Sequence, residues 1–421
     1  MSEQYSNWAG NLTYSAARLH HPTTVGQVQD LVARCNKLRV LGSRHSFNTI
    51  ADSAEDLVSL AQLEPVLEFD HERKTVTVHG GITYGQLSPQ LHSAGYALHN
   101  LASLPHISIA GACATATHGS GDGNRNLASV VAGMEIVTAD GQLLTLSREQ
   151  HGDQFQGAVV GLGGLGVITK LTLDIVPAFE VRQEVYENLA VAQLDEYFDA
   201  ILSSAYSVSL FTDWQGQHVN QVWRKHRVTG EPIAALAPAF FEAPLAPTDR
   251  HPIVTLSAKP CTPQMGVPGP WYDRLPHFRI DEKPSSGEEL QAEYFVPRQH
   301  AVAALRAVAQ LHEQIAPVLM ISEVRTIAAD TLWMSPCYEQ DCVGIHFTMV
   351  RDWPAVQKLL PLIEEQLAPF DARPHWGKMF TISPARLQSL YAKLPDFREL
   401  LRSYDPQGKF RNAFLDTYIF G

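Results

Sequence analysis

A chain of 421 residues is too long for one typical hydrophobic core, so two domains or one large split domain are expected. Its apolar fraction of 45% and charged fraction of 18% argue against a disordered or fibrous chain, and its formal charge of −12 argues against nucleic acid as a partner, since phosphate binding needs a basic surface. The opening MSEQYSNWAG has neither a basic nor an apolar leader segment, and no apolar run is long enough to span a bilayer. The five cysteines, Cys35, Cys113, Cys261, Cys337 and Cys342, are odd in number and lack CxxC spacing. They read as buried thiols in a reducing compartment, so a cytoplasmic location with no metal site is expected; a monomer without a membrane partner is expected beside it.

In TTVGQVQDLVARCNK, Val25, Val28, Leu31, Val32 and Cys35 fall at helical spacing with a threonine available as cap. A short strand, LRVLG, follows, then the small polar loop GSRHSFN. TVTVHGG alternates as a strand, YGQLSPQLHSAG reads as a short helix, and GMEIVTADGQLLTLS reads as a hairpin with Asp140 and Gly141 in its turn. From about Val181 longer strands appear: SVSLFTDW, HVNQVWRKH and ELQAEYFVP, with a proline-rich irregular region from about 232 to 276. Helices at RQHAVAALRAVAQLHEQI and WPAVQKLLPLIEEQL alternate with further strands, which predicts an α+β chain whose second part is an antiparallel sheet layered against helices.

Three stretches carry chemical information. GSRHSFN, Gly42 to Asn48, offers several backbone N–H groups to an anion, and its histidine needs a further role. LASLPHISIAGACATATHGSGDGN, Leu101 to Asn124, is dominated by small residues without helical or strand periodicity, as expected of backbone pressed against a flat or anionic ligand. GLGGLG, Gly161 to Gly166, satisfies the dinucleotide-binding expression but in inverted order. A helical EQHGDQFQGAVV precedes it and the strand-like VITKLTLDIV follows it, so it reads as a glycine-rich helix-to-strand turn and not as a Rossmann fingerprint.

Two later strands each present polar groups from one side. In ISEVRTI, Glu323 and Arg325 share a face; in VGIHFTMV, Gly344, His346 and Thr348 oppose Val343, Ile345, Phe347 and Met349. Side by side in a sheet they would form a patch of carboxylate, guanidinium, imidazole and hydroxyl suited to a row of vicinal hydroxyls. For Glu323 and Arg325 alone, an ordinary surface ion pair is the competing reading.

Together, GSRHSFN, SLPHISIAGACATATHGSG, GLGGLGVIT, DPQGKFRNAF and the opening NWAGNLTYSA resemble the vanillyl-alcohol-oxidase type of FAD enzyme, in its alditol oxidase branch, over nearly the whole chain. The resemblance implies a two-domain flavoprotein: a split FAD-binding domain formed by residues 1–180 and a returning segment 375–421, with a substrate-binding cap over 181–374. It implies FAD carried covalently by a bond from a ring nitrogen of His45 to the flavin 8α carbon. Val40, Leu41, Gly42, Ser43, Arg44, Ser46, Ser103, Ser108, Gly111, Thr115, Ala116, Thr117, His118, Ile168 and His375 are the other residues it places at the cofactor, with Arg44 adding charge near the pyrophosphate. It places Ser103, Glu323, Arg325, Thr348 and Lys378 on the polyol, with His346 lining the same pocket, and Ala102 near the flavin edge that oxygen must reach.

The implied reaction is oxidation of the C1 alcohol of an open-chain polyol such as xylitol or sorbitol to the aldose, with hydride transfer to flavin N5 and reoxidation by O2 to H2O2. Lys378 and Arg325 would stabilise the developing oxyanion. Either Lys378 or His346 would serve as base, and the sequence does not choose between them. The alternatives are a gulonolactone-type sugar-lactone oxidase or dehydrogenase of the same fold and, outside catalysis, a carbohydrate-binding flavoprotein.

Overall fold

In the computed structural model, residues 5–229, 235–282 and 288–421 are described. The first four residues of the segment read for a leader and residues 232–234 of the proline-rich region lie outside these. The helix Val25–Arg34 starts where the Thr24 hydroxyl accepts the Gln27 N–H, and it buries Val28, Leu31 and Val32. It packs beside a parallel three-stranded sheet in which Asp56–Val58 lies between Arg18–His20 and Leu38–Val40.

A second, antiparallel sheet orders Leu67–Asp70, Thr75–His79, Val167–Asp174, Val131–Val137 and Leu143–Ser147. The last two form the expected hairpin, and Gly141 in its turn has a φ of +82°. GLGGLG connects the helix Arg148–Val159 to the strand Val167–Asp174, so it is the helix-to-strand turn that its order in the sequence predicts.

The third sheet has eight antiparallel strands in the order Gly269–Pro270, Glu180–Ala190, His218–Arg227, Ser207–Thr212, Leu319–Ile327, Cys342–Val350, Glu289–Pro297 and Arg373–Pro374. One face carries Leu210, Val324, Val343, Ile345, Phe347 and Met349 into a core with the helices Val191–Leu202, Ala301–Ala309 and Trp353–Leu367. The other face carries Glu293, Glu323, Arg325, His346 and Thr348 together with Phe211, Trp223, Ile321 and Phe295.

Three stretches differ from expectation. The small-residue region contains a helix, Ile109–Ala114, that buries Ile109, Ala112 and Cys113 at helical spacing; alanine and cysteine in place of larger residues conceal the period. RQHAVAALRAVAQLHEQI is broken into Ala301–Ala309 and His312–Ile315. The helix Arg148–Val159 is interrupted at Gly152, whose φ is +49°.

The end of the chain returns to the first core, where Leu394, Phe397, Leu401, Phe414 and Leu415 pack with Val76, Val159 and Leu171. In DPQGKFRN the Asp405 carboxylate accepts the N–H groups of Lys409 and Phe410 at 2.7 Å each, and the Lys409 carbonyl accepts the Leu38 N–H at 3.0 Å. Arg39 fastens these parts together from a buried position. It donates to the carbonyls of Gly163 at 2.7 Å, Leu162 at 2.8 Å, Phe410 at 2.9 Å and Ile50. Replacing it by methionine keeps the volume and leaves buried carbonyls without donors, each costing about 1–3 kcal/mol. Arg39→Met is therefore expected to destabilise the protein by at least about 3 kcal/mol, read as a lowered midpoint in thermal or urea unfolding; a wild-type midpoint would refute this role for Arg39.

Candidate active site

The loop Gly42–Asn48 is built against two other segments. On one side Ser43 Oγ accepts the Ser108 N–H at 3.0 Å, and a Cβ added to Gly42 would lie 2.5 Å from Ser108 Oγ, so a larger residue would displace that hydroxyl. On the other side Asn48 Nδ2 donates to the carbonyls of Trp376 at 2.8 Å and Lys378 at 2.7 Å, and the Phe47 N–H donates to the Gly377 carbonyl at 2.8 Å. His45 and Lys378, 333 positions apart in the chain, consequently line one cavity of about 260 Å³. The His45 ring stacks on Trp8 with centroids 5.3 Å apart, and its buried Nδ1 has no hydrogen-bond partner. Burial lowers its pKa to about 4, so the ring is neutral at pH 7.

The sheet supplies the opposite wall. Phe211, Glu323, His346 and Glu293 stand opposite one another on four neighbouring strands, and the next row toward one end is Ser209, Arg325, Gly344 and Phe295. Glu293 Oε1 lies 2.8 Å from Arg325 Nη2 and 3.1 Å from His118 Nε2, and its Oε2 lies 2.5 Å from Lys378 Nζ. Glu323 Oε1 is 2.8 Å from His277 Nε2 and 3.5 Å from Arg325 Nε. Lys378 Nζ is 2.8 Å from His346 Nδ1, and His346 Nε2 is 2.9 Å from Thr348 Oγ1. Arg325 Nη1 points to Ser103 Oγ at 3.5 Å.

At the centre of this wall two carboxylates, Glu293 and Glu323, face one guanidinium and one ammonium, with Lys225 behind His277 at 3.1 Å. Burial works to raise the pKa of Glu293, but Lys378, His118 and Arg325 together hold it well below the carboxylate range. Glu323 is likewise lowered, Arg325 and His277 outweighing burial. Burial lowers Lys378, with Glu293 opposing. His277 and His346 are each lowered to about 4, by burial first and then by Lys225 and Lys378 respectively, and His375 is lowered well below its usual value by burial. A neutral His346 accepts the Lys378 ammonium proton at Nδ1, which puts its own proton on Nε2, directed at Thr348.

Of the residues assigned by resemblance, Val40, Leu41, Gly42, Ser43, Arg44, Ser46, Ser103, Ser108, Gly111, Thr115, Thr117, His118, His375 and the polyol set all line the cavity, as does Ala102. Ala116 and Ile168 are not among its lining residues. Ala116, with φ +53°, turns the chain after the short helix and is buried in the core, while Ile168 lies in a strand opposite Ile136. Glu293 was missed, although ELQAEYFVP carries the signal: Glu289, Gln291 and Glu293 alternate with Leu290, Ala292 and Tyr294 as the polar residues of the other two strands do. His277 and the buried Lys225, whose pKa burial lowers to about 7, had no such signal. His277 sits in an irregular segment.

Comparison with known proteins identifies the chain. Residues 16–147 match the profile of an FAD-binding domain, and 288–418 match that of D-arabinono-1,4-lactone oxidase. An alditol oxidase of Streptomyces sp. is 47% identical over the full length of both chains. The chain belongs to the alditol oxidase family of FAD enzymes. More distant relatives within this vanillyl-alcohol-oxidase-type group are the L-gulonolactone oxidase of Mus musculus, 26% identical over 99% of this chain and 98% of its own, and the L-gulono-1,4-lactone dehydrogenase of Mycobacterium tuberculosis, 28% identical over 98% of each. The crystal structure of a cholesterol oxidase from B. sterolicum shares the fold, with a TM-score of 0.78 at 15% identity over 99% of this chain and 96% of that one.

Family membership makes FAD the cofactor, and the residues present fit it. The unpartnered His45 Nδ1 and the small-residue wall of Gly111, Ala112, Ala114, Thr115 and Thr117 leave room for a flat, elongated group along the serine-rich loop. Among the described residues one cluster, His20, Cys35 and Asp56, has metal-ligand spacing. Its carboxylate is already taken up by both arms of Arg18 and by His20. No helix among the described residues is long and apolar enough to cross a membrane.

The buried neutral histidines couple the site to pH. In the unfolded chain each binds a proton near pH 6.5, whereas folded His277 and His346 do so only near 4. The unfolded state thus holds more protons in this window, and stability falls as pH drops from about 6.5 toward 4. Unfolding midpoints of the holoenzyme measured in steps from pH 7 to 4 are expected to decline through this range; a flat profile to pH 4.5 would refute the neutral assignment.

Proposed function

We propose that this protein oxidises the C1 primary alcohol of open-chain polyols such as xylitol and sorbitol to the aldose, with O2 as acceptor and H2O2 as product. The observation that carries the reading is the single cavity that joins the His45 loop to the Glu323, Arg325, His346, Thr348 and Lys378 patch. The 47% identity to an alditol oxidase, against 26–28% to the lactone enzymes, supports the polyol over the lactone. In this reading residues 1–180 and 375–421 hold FAD and 181–374 cover the substrate. The five cysteines, all free and buried, support a cytoplasmic location.

FAD, when bound, supplies the acceptor for the hydride leaving the carbinol carbon and the site of its return to O2. The protein supplies position and charge. Glu323 accepts from substrate hydroxyls, while Ser103 and Thr348 both donate and accept. Arg325, clamped by two carboxylates, keeps Nη1 toward Ser103 as a fixed donor. Lys378 places an ammonium at the reacting hydroxyl, where it stabilises the developing alkoxide. His346 and Lys378 share one hydrogen bond, so the ammonium passes a proton to His346 Nδ1 as it takes up the proton of the hydroxyl. The two groups then act as one base.

His45, neutral and with Nδ1 free of any partner, is the nucleophilic nitrogen for covalent attachment of FAD. Acid precipitation of the holoenzyme is expected to give a yellow pellet and a colourless supernatant, and His45→Ala the reverse; yellow supernatant from the wild type would refute the linkage. Steady-state peroxide production with xylitol is expected to exceed that with gulonolactone at least tenfold in kcat/KM. A larger value for the lactone would overturn the polyol assignment, and a flavin not bleached anaerobically by either compound would overturn catalysis itself.

A further inference from the structure

Glu293 is the most connected group of the site and lies outside the set that the family resemblance assigns. It is 1% exposed, on the central part of the strand Glu289–Pro297, and it meets four separate segments. Its Oε1 meets Arg325 from the strand Leu319–Ile327 and His118 from the small-residue loop; its Oε2 meets Lys378 from the returning segment and lies 3.5 Å from His346 Nδ1 of the strand Cys342–Val350. His118 also turns Nδ1 to the Gly119 carbonyl at 2.8 Å. Of its two acceptors the charged carboxylate makes the stronger bond, which places the ring proton on Nε2.

We propose that Glu293 is a positioning residue that fixes both the place and the charge of Lys378, and thereby sets the alkaline limit of polyol oxidation. The proposal rests on the polyol reading above. Three of the groups facing Glu293 are donors, Arg325 and His118 at Oε1 and Lys378 at Oε2; His346 Nδ1, 3.5 Å from Oε2, is an acceptor already taken by Lys378. An amide at this position fails in either orientation, because its NH2 would face the donors Arg325 and His118 one way and the Lys378 ammonium the other. A carboxylate alone accepts on both sides.

The groups facing Lys378 divide by sign. Burial and Arg325 disfavour its ammonium; Glu293, in direct contact, and Glu323, across the sheet, favour it. His346 and His375 are neutral, and Glu289 is engaged by Gln291 Nε2 at 2.6 Å. Without Glu293 the balance at Lys378 loses its nearest negative charge, so the ammonium is given up at lower pH. The lysine is then left with His346 Nδ1 as its remaining partner in the site.

The test is the pH profile of kcat/KM for xylitol in the holoenzyme and in Glu293→Gln. Loss of the carboxylate is expected to lower kcat/KM at least about 100-fold at pH 7, a magnitude typical of losing one preorganised charge contact. The alkaline limb is expected to move down by roughly one pH unit or more, as removing an opposite charge in contact requires. Affinity of the anaerobically reduced holoenzyme for xylitol, a dead-end complex that reads binding alone, is expected to fall in parallel.

An unmoved alkaline limb in a folded, flavin-loaded Glu293→Gln protein would overturn the proposal. If that variant does not fold, Glu293→Asp decides. It keeps the charge and shortens the reach, so the limb is expected to stay in place with kcat/KM at least tenfold lower, and wild-type kcat/KM and KM would overturn the proposal. A wild-type holoenzyme inactive on xylitol refutes the polyol reading instead, and the two failures are thereby distinct.

Discussion

The site depends on one backbone seam, the three hydrogen bonds that Phe47 and Asn48 make to the carbonyls of Trp376, Gly377 and Lys378. Loops are free to drift unless their polar backbone groups are paired. Here an asparagine amide satisfies two carbonyls of a segment more than 300 positions away, and a main-chain N–H satisfies the third. Gly377 suits the close approach, since a Cβ there would lie 3.3 Å from Ser46 Oγ, a tight contact. Trp376, wholly buried against Tyr391 and with its indole N–H bonded to the Met334 carbonyl at 2.6 Å, anchors the segment from behind. Rigidity in the seam is what allows a histidine from one end of the chain and a lysine from the other to bound one cavity.

Electrostatics follow from that placement. Bringing Lys378 over the sheet adds a second cation to a buried surface that already holds Arg325, and Glu323 alone cannot neutralise both. Glu293 supplies the missing charge. The histidines around the pair, His277, His346 and His375, are buried deeply enough to remain uncharged, so they add hydrogen-bonding capacity without upsetting the balance. Buried charge is tolerated where it is paired and bonded, and each charged member of this wall has at least one such partner.

Much of this was legible in the sequence, and what was hidden was hidden for identifiable reasons. Strict alternation in ISEVRTI and VGIHFTMV placed Glu323, Arg325, His346 and Thr348 on one face, and the structure sets Glu323 directly opposite His346. The inverted order around GLGGLG was sufficient to reject a Rossmann fingerprint. By contrast, the helix Ile109–Ala114 was masked because alanine and cysteine carry little hydrophobic contrast. Asn48 gave no sign of its role: an asparagine after a small loop reads as turn chemistry, and its carbonyl partners are remote in the chain. Glu293 was readable by the same alternation that found Glu323, but a polar face on one strand has no meaning until its neighbours are known.

Neighbour order also explains a glycine in the middle of a buried strand, where glycine ordinarily weakens the sheet. Arg325 and Glu293 lie on strands separated by Cys342–Val350, so the pair spans two inter-strand spacings, roughly 10 Å of backbone separation. Their side chains can meet at 2.8 Å only by leaning over the strand between them. The residue opposite Arg325 on that strand is Gly344, and a Cβ there would lie 3.2 Å from Glu293 Oε1, tighter than ordinary packing. A larger side chain there would press on the Glu293 carboxylate and on Ile327 and Phe295. The HFT segment that follows can then return to large residues, because His346 and Thr348 belong to the rows where side chains face the cavity and are meant to fill it. A missing side chain at one position thus gives the Glu293 carboxylate room to pair with Arg325, and through Glu293 its effect reaches the lysine on the far side of the seam.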